Sequence, residues 1–443
     1  MASKRIVLVG AGMRARDFVA SIALQHSASS RLVGICDTSP QRMAFLNTSL
    51  ANDWQAERVP VAAPDGFERL IKGQGANTVL VATTDGVHHE YICRALRCGC
   101  DVITEKPMTI DAPRCRSILT EAAAGPGKVQ VAFNYRWQAH RTAVRDLIAS
   151  GRIGAVKSVN LEYLLDTDHG ADYFRRWHAN REQSGGLLVH KSTHHFDLVN
   201  WWLDAIPSQV FAYGDLAFYG RDNALRRGDA PYTRYPRYTG AETNGDPYRF
   251  SLRDGGLLEG LYYRAEADSG YLRDRNVFRD DIDIPDVMSV VARFRTGQQL
   301  TYSLVCFSPR EGMRVTFNGD RGRIEYYEFV RAPVRGRMEK TVAAAEDPAE
   351  ISIRVFPHFS EAYDFPVSVG TGGHLGADPL LMEQLFAESP PADEHGRVAG
   401  PEQGAASILV GIAANESILT GRPVNVLDLA PLRPEALKLS ELR

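Results

Sequence analysis

Only six of the 443 residues are cysteine, and five of them (Cys36, Cys93, Cys98, Cys100 and Cys115) fall in the first third of the chain. That is too few for a disulfide scaffold and suits reduced, mostly buried thiols. Cys93, Cys98 and Cys100 lack the two paired CxxC units of a zinc site, so no metal is expected. An excess of charge of either sign is also missing. With 51 basic and 54 acidic residues the net charge is -3, which leaves no surplus to neutralise a phosphate backbone and argues against nucleic acid as a partner. No apolar run approaches the roughly 18–20 residues that cross a bilayer. Met1-Ala2-Ser3-Lys4-Arg5 leads straight into a short apolar strand, and the expectation is a soluble, cytoplasmic chain with no membrane partner.

What is present is a globular balance of 44% hydrophobic and 24% charged residues. The length exceeds the roughly 100–200 residues of one domain, so two are expected, one carrying a large insertion. Residues 1–133 alternate short β-branched runs with helical patterns, which predicts βαβ units and a doubly wound parallel sheet of the Rossmann type, an α/β fold. The strands are Arg5 to Val9, Arg31 to Cys36, Asn77 to Ala82, Asp101 to Thr104 and Val129 to Phe133, with helices at Gly86 to Arg97 and Asp111 to Ala124. Residues 134–443 change character. Ala155 to Leu165, Val287 to Arg295, Gln299 to Phe307 and Met313 to Phe317 alternate in the manner of a large, mostly antiparallel open sheet in an α+β domain. Arg221 to Asp280, rich in Arg, Asp, Tyr and Gly, reads as an ordered insertion or long loop, and Ala343 to Glu350 as an exposed loop.

The first strand runs into Gly10-Ala11-Gly12-Met13-Arg14-Ala15, a dinucleotide fingerprint with alanine in its last place. Gly10 serves the tight turn, Gly12 the approach of a pyrophosphate, and Ala15 the packing of helix on strand. The helix start offers free N–H groups and a positive dipole end. Asp37 closes the second strand 22 residues after Ala15, where an acidic side chain accepts from ribose hydroxyls and repels a ribose phosphate. The expected cofactor is therefore NAD, although Arg42 stands close enough to soften that preference over NADP.

Three further stretches carry a resemblance: Thr83-Thr84-Asp85-Gly86-Val87-His88 with Glu90, then Thr104-Glu105-Lys106-Pro107, then Asn134-Tyr135-Arg136. With Leu147 to Gly154 and Gly421-Arg422-Pro423-Val424, they resemble the Gfo/Idh/MocA oxidoreductases, the glucose-fructose oxidoreductase and inositol dehydrogenase family, over most of the chain. Thr84 departs from the family's usual proline. The candidate cofactor contacts are Gly10, Gly12, Met13, Arg14, Ala15, Asp37 and Arg42, with Thr83, Thr84, His88, Glu105, Lys106 and Asn134 from the later strand ends. Lys106 is the first catalytic candidate. A lysine at the carboxyl end of a parallel strand, partly buried beside a cationic nicotinamide, has its pKa lowered and can take the proton of a substrate hydroxyl as hydride leaves.

Gly185 to Asp197 forms the second constellation. A helix beginning soon after the glycines puts His190, His194 and Asp197 at i, i+4 and i+7 on one polar stripe. The segment is similar to the family's GGxLxDxGxHxxD pattern, which makes His194 the partner of the lysine in proton handling, with His190 where the family has aspartate. That exchange either rebuilds the proton relay or turns the pocket toward an anionic substrate, the option that Lys191 and His195 strengthen. Shared metal binding by the histidines is the rival reading, without a supporting motif. The substrate-binding candidates are Tyr135, Arg136, Trp177, His178, Lys191, His195 and His374, the last within Gly372-Gly373-His374-Leu375-Gly376-Ala377-Asp378, a string similar to one in the family's NAD-dependent glycosidase branch.

The resemblance implies hydride transfer between NAD and a carbinol carbon of a sugar. One version uses it as transient oxidation that enables glycosidic bond cleavage, on an anionic sugar such as a sulfoquinovoside. Another is a net sugar or polyol dehydrogenase that releases NADH, and a third is a non-enzymatic NAD or sugar sensor on the same fold. A homodimer or homotetramer assembled through the open sheet is also implied.

Overall fold

The computed structural model describes residues 4–243, 245–253, 255–329 and 350–442. The loop expected at Ala343 to Glu350 lies outside these residues except for Glu350.

Six strands form a parallel sheet: β1 Lys4–Val9, β2 Ser30–Cys36, β3 Val61–Ala62, β4 Thr78–Val81, β5 Asp101–Thr104 and β6 Val129–Val131, in the order β3-β2-β1-β4-β5-β6. β4 is buried throughout and β5 beyond its first residue, because helices cover both faces of the sheet. The helices are punctuated locally. The Ser39 side chain caps Pro40–Asn52 and the Asp111 side chain caps Ala112–Ala124, each accepting the amide three residues on and each followed closely by proline. The last strand is shorter than its apolar run suggests, since the chain enters a 3₁₀ turn at Asn134–Trp137. The helix Ala377–Phe386 returns late in the sequence to pack on this sheet, where Leu381, Leu385 and Phe386 share a buried cluster with Ile6, Phe18 and Ile22.

The second sheet has nine strands: β7 Val156–Asp166, β8 Pro207–Asp215, β9 Val287–Phe294, β10 Gln299–Ser308, β11 Gly312–Gly319, β12 Gly322–Phe329, β13 Glu350–Pro357, β14 Tyr363–Phe365 and β15 Val424–Asn425. Their order is β14-β13-β12-β11-β7-β10-β9-β8-β15, antiparallel except for the parallel pair β7 and β10. One face is covered: Leu300, Tyr302, Leu304 and Cys306 of β10 are buried while the residues between them are not. Beneath that face run the helices Thr193–Leu203 and Pro401–Thr420. At Gly411 of the longer helix a Cβ would fall 2.1 Å from the Leu188 carbonyl oxygen. Glycine there lets the long helix press against the segment that carries His190.

The described residues between Arg221 and Asp280, in the segment linking β8 to β9, combine a small apolar cluster around Leu252, Leu261 and Tyr262 with a set of buried polar bonds. The fully buried Asp274 accepts from the Thr239 amide (2.7 Å) and Arg237 Nε (3.2 Å), and Asn276 Nδ2 donates to the Tyr232 and Tyr235 carbonyls (both 2.8 Å). The insertion reaches back over the carboxyl edge of the first sheet. No helix among the described residues is long and apolar enough to cross a membrane.

Candidate active site

The carboxyl edge of the parallel sheet, the insertion and the start of the second sheet enclose one cavity of about 1380 Å³. Ligand pockets commonly measure about 300–1,000 Å³, so this one has room for a dinucleotide beside a second molecule.

At its cofactor end β1 turns sharply. Gly10 has φ +92° and a Cβ there would lie 2.5 Å from the Ala82 carbonyl oxygen, so only glycine fits. Gly12 is open, with nothing closer to its missing Cβ than the Tyr262 hydroxyl at 3.7 Å, which leaves the backbone free for a diphosphate. Ala15, within the helix Met13–Leu24, is fully buried and packs rather than lines. Asp37 accepts from the Ala11 amide (2.6 Å) and the Ser39 amide (2.8 Å) at the ribose position. The insertion takes part here: the Met13 amide donates to Tyr262 Oη (3.1 Å), and Arg42 donates to the Leu261 carbonyl (3.2 Å) while lying over the rings of Tyr262 and Tyr271.

Arg14 is half-buried and bonds Glu105 (2.7 Å) and both oxygens of Asp378 (3.1 and 3.2 Å). Asn134 Nδ2 also reaches Asp378 (3.2 Å), as does His374 Nδ1 (2.7 Å). Burial alone would raise the Asp378 pKa, but the His374 hydrogen bond and the Arg14 charge hold it well below the carboxylate range. The Gly372 to Asp378 loop is thereby fastened to the fingerprint helix. His88 sits between the carbonyls of Pro107 (2.8 Å) and Thr83 (3.2 Å), which ties the Thr83-Thr84 loop to the lysine segment.

Lys106 lies in the cavity wall where the two sheets meet. Its amine donates to the His190 carbonyl (3.4 Å), and burial lowers its pKa against the opposing charges of Glu105 and Asp85. His190 finds the carboxyl partner that its own segment lacks: Nδ1 lies 2.5 Å from Asp85 Oδ2, a side chain delivered by the first sheet, whose pKa burial raises well above its ordinary 3.8. Its ring meets His178 (4.1 Å between centroids), which is stacked on Trp177 (3.7 Å). His194 stacks on Tyr135 at 3.9 Å. Lys191 donates to the Tyr135 hydroxyl (3.1 Å), and the Arg141 guanidinium lies 3.9 Å from the centre of the same ring. Burial would raise the Tyr135 phenol, but the charges of Lys191 and Arg141 bring it below its ordinary 10.0. Glu328 anchors this floor, accepting from Arg141 (2.7 and 3.0 Å) and bonding His140 (3.2 Å).

Four expectations need correction. The helix after the glycines is broken: Leu187–His190 and Thr193–Leu203 are separate, with Lys191 and Ser192 between them, so His190, His194 and Asp197 do not form one stripe. Asp197 is not at the cavity. It pairs with Arg136 through two bonds (2.6 and 2.8 Å), both side chains are buried, and neither lines the site. Their mutual charge neutralisation in the core accounts for both. His195 is likewise behind the wall, bonded to Tyr302 (2.9 Å) and stacked on Tyr163 (4.0 Å). Nor is the pocket locally basic. Burial first, then nearby cations, push His178, His190, His194 and His195 well below 6.5, which disfavours their charged forms, and acidic and basic side chains line the cavity in equal number. No group of three or more His, Cys, Asp or Glu among the described residues is arranged to hold a metal ion.

The sequence reading missed Asp85 as the partner of His190, the Arg141–Glu328 pair, and Tyr163, His169 and Glu311, which meet at the floor (His169 Nδ1 to Glu311, 2.9 Å). It also missed the insertion residues that line the cavity, Tyr262, Tyr271 and Arg273 among them. Asp85 alone carried a signal, its place within a quoted motif.

A parallel sheet with a dinucleotide turn, an acidic residue after its second strand and a buried lysine at its crevice defines an NAD-binding oxidoreductase. The chain belongs to the Gfo/Idh/MocA oxidoreductase family: residues 4–133 match its NAD-binding Rossmann fold and residues 145–426 its C-terminal alpha/beta domain. A putative oxidoreductase, YteT, of Bacillus subtilis is 36% identical over 444 residues, 96% of this chain and 98% of that one. The inositol 2-dehydrogenase of Rhizobium meliloti is 30% identical over 208 residues, 47% of this chain and 57% of that one. The structure of an aldose-aldose oxidoreductase from Caulobacter crescentus shares the fold, with TM-score 0.61, 15% identity, and coverage of 96% and 99% of the two chains. The cofactor is NAD.

Proposed function

We propose that the protein moves a hydride between NAD and a carbinol carbon of a sugar, transiently, as the step that enables cleavage of a glycosidic bond. Bound at the Gly10 to Arg42 groove, NAD supplies the hydride acceptor and then the donor. The observation that carries the reading is a second proton-handling group in the same cavity: Tyr135, its phenol lowered by Lys191 and Arg141, alongside Lys106. An alcohol oxidation needs one base for the hydroxyl proton, whereas elimination needs another for a C–H.

Lys106, as the neutral amine, takes the hydroxyl proton while hydride leaves the same carbon. The carbonyl so formed acidifies the neighbouring C–H, Tyr135 removes that proton, and the bond to the aglycone breaks by elimination. Water then adds to the unsaturated ketone, and the carbonyl is reduced by the returning hydride and the Lys106 proton. The sum is glycoside plus water giving sugar plus aglycone, with no net change in NAD. His194 fixes the Tyr135 ring by stacking, and Asp85 holds the ring of His190, whose backbone carbonyl accepts from the Lys106 amine. A sulfoquinovoside-like anion loses its main support, since burial disfavours the charged histidines and Lys191 serves Tyr135. A neutral sugar suits this end better.

A net dehydrogenase is the second reading, favoured by the inositol 2-dehydrogenase likeness. The deciding assay incubates the protein with NAD and chromogenic glycosides in deuterated water and follows aglycone and NADH together. Aglycone release without NADH, with deuterium entering the product carbon next to the oxidised one, supports the cleavage. NADH accumulation from free sugars or polyols, without aglycone release, overturns it. We place a homodimer or homotetramer contact on the open face of the second sheet, where Tyr213 is 69% and Val291 52% exposed; light scattering tests the assembly.

A further inference from the structure

The insertion reaches the adenosine end of the groove as well as the sugar end, and it arrives there with a carboxylate. Asp268, in the short turn Glu266–Ser269, accepts from the Ser39 hydroxyl through Oδ1 (2.9 Å) and from the Gln41 amide through Oδ2 (2.9 Å). Ser39 is fully buried, caps the helix Pro40–Asn52, and gives its own amide to Asp37 at 2.8 Å. Asp37 and Asp268 therefore grip one loop after β2 from two sides. Arg42, in the first turn of the same helix, is drawn away from the loop to the Leu261 carbonyl and the rings of Tyr262 and Tyr271, at 5.4 and 5.5 Å.

A hydroxyl, an amide at a helix start and an arginine are the donors by which a loop in this position holds a phosphate on the adenosine ribose. This chain has all three, and the insertion occupies each of them. We propose that Asp268 is a cofactor-specificity residue: it excludes dinucleotides phosphorylated at the ribose 2′-hydroxyl by filling the Ser39 and Gln41 donors with a negative charge. Discrimination is then shared between Asp37, which β2 supplies, and the insertion, which arrives more than 220 residues later. Asp268 acts on binding and touches none of the reacting atoms. Its exposure to solvent screens the repulsion, which sets the expected effect at about tenfold rather than several orders of magnitude.

The test titrates the full chain and its Asp268→Asn and Asp268→Ala variants with NAD, NADP, 5′-AMP and 2′,5′-ADP by calorimetry. Asp268→Asn keeps an acceptor for the Gln41 amide while removing the charge, so it separates electrostatic exclusion from tethering. The expected result is that both variants bind 2′,5′-ADP and NADP at least about tenfold tighter, with NAD and 5′-AMP within about twofold of the parent, and that the gain shrinks as salt is raised toward ~1 M. An Asp37→Ser variant gains less for 2′,5′-ADP than Asp37→Ser combined with Asp268→Asn. Folded variants that bind NAD normally and gain nothing for 2′,5′-ADP overturn the proposal. Parallel losses of NAD and NADP binding in Asp268→Asn overturn it too, in favour of a structural tether.

Discussion

The two ends of the cavity are built differently. At the cofactor end Gly10, Gly12, Asp37 and Ser39 belong to a single βαβ unit and sit at local features, a turn, a strand end and a helix cap, onto which distant residues such as Tyr262 and Asp268 are then added. At the sugar end Lys106, Tyr135, Arg141, Tyr163, Lys191 and Glu328 come from separate elements of both sheets and meet only on folding. Short-range geometry leaves a spacing that can be read in the chain. A charge balance among distant residues leaves none, because each ion's partner is decided by packing.

This contrast predicts separable defects. The largest is at Lys106. Lys106→Met should lower turnover by about 10³-fold, the scale of a positioned acid-base group, while NAD affinity, set at the other end, stays within about twofold; single-turnover absorbance at 340 nm and calorimetry measure the two. Equal losses in both would erase the division between the ends. The pH profile bears on the same residue. Burial lowers the Lys106 pKa from 10.5, so the neutral base becomes available below that value: oxidation should rise with pH and level off before 10.5, and Lys106→Arg should remove the rise.

Next comes the floor of the sugar end. Glu328→Gln leaves Arg141 buried without its anion and should cost about 3–5 kcal/mol in denaturant unfolding. Linkage gives the sign with pH. The Arg141 charge and the His140 bond outweigh burial and hold the folded pKa of Glu328 below its ordinary 4.5, so the stabilisation is present above that value and fades as pH falls through the folded one. The parent should therefore lose more stability than Glu328→Gln on acidification, and equal losses would remove Glu328 from the balance.

A smaller and more selective effect is expected at Tyr135. Tyr135→Phe should reduce aglycone release by about 10² yet spare the first hydride transfer, seen as NADH formed in a single turnover. A loss of both alike would leave one base serving both steps. The smallest effect is at the Asp85–His190 contact. Asp85→Asn should lower turnover by about tenfold, the range of partners that orient a reacting group, with Asp85→Glu restoring part of it.

Much of the fold was legible because its signals are local. Near-continuous apolar runs marked β1, β2, β4 and β5, alternation marked β7, β9, β10 and β11, and Asp111 sits where the expected helix begins. β3, of two residues, and β15, equally short, carry too few residues for any period to show. The stripe of His190, His194 and Asp197 failed because a break at Lys191 and Ser192 interrupts the helix, and helical spacing holds only while the helix is continuous.

By itself the sequence determined the parallel sheet, the dinucleotide turn and the lysine at its crevice, since strand burial, glycine conformation and strand ends depend on residues a few positions apart. Only the tertiary structure decided that Asp85 serves His190, that Asp197 belongs to Arg136 in the core, that burial disfavours the charged forms of the cavity histidines, and that the segment around Tyr262 closes over the cofactor groove. Those outcomes rest on burial and on the distance between charges, which the order of residues along the chain does not contain.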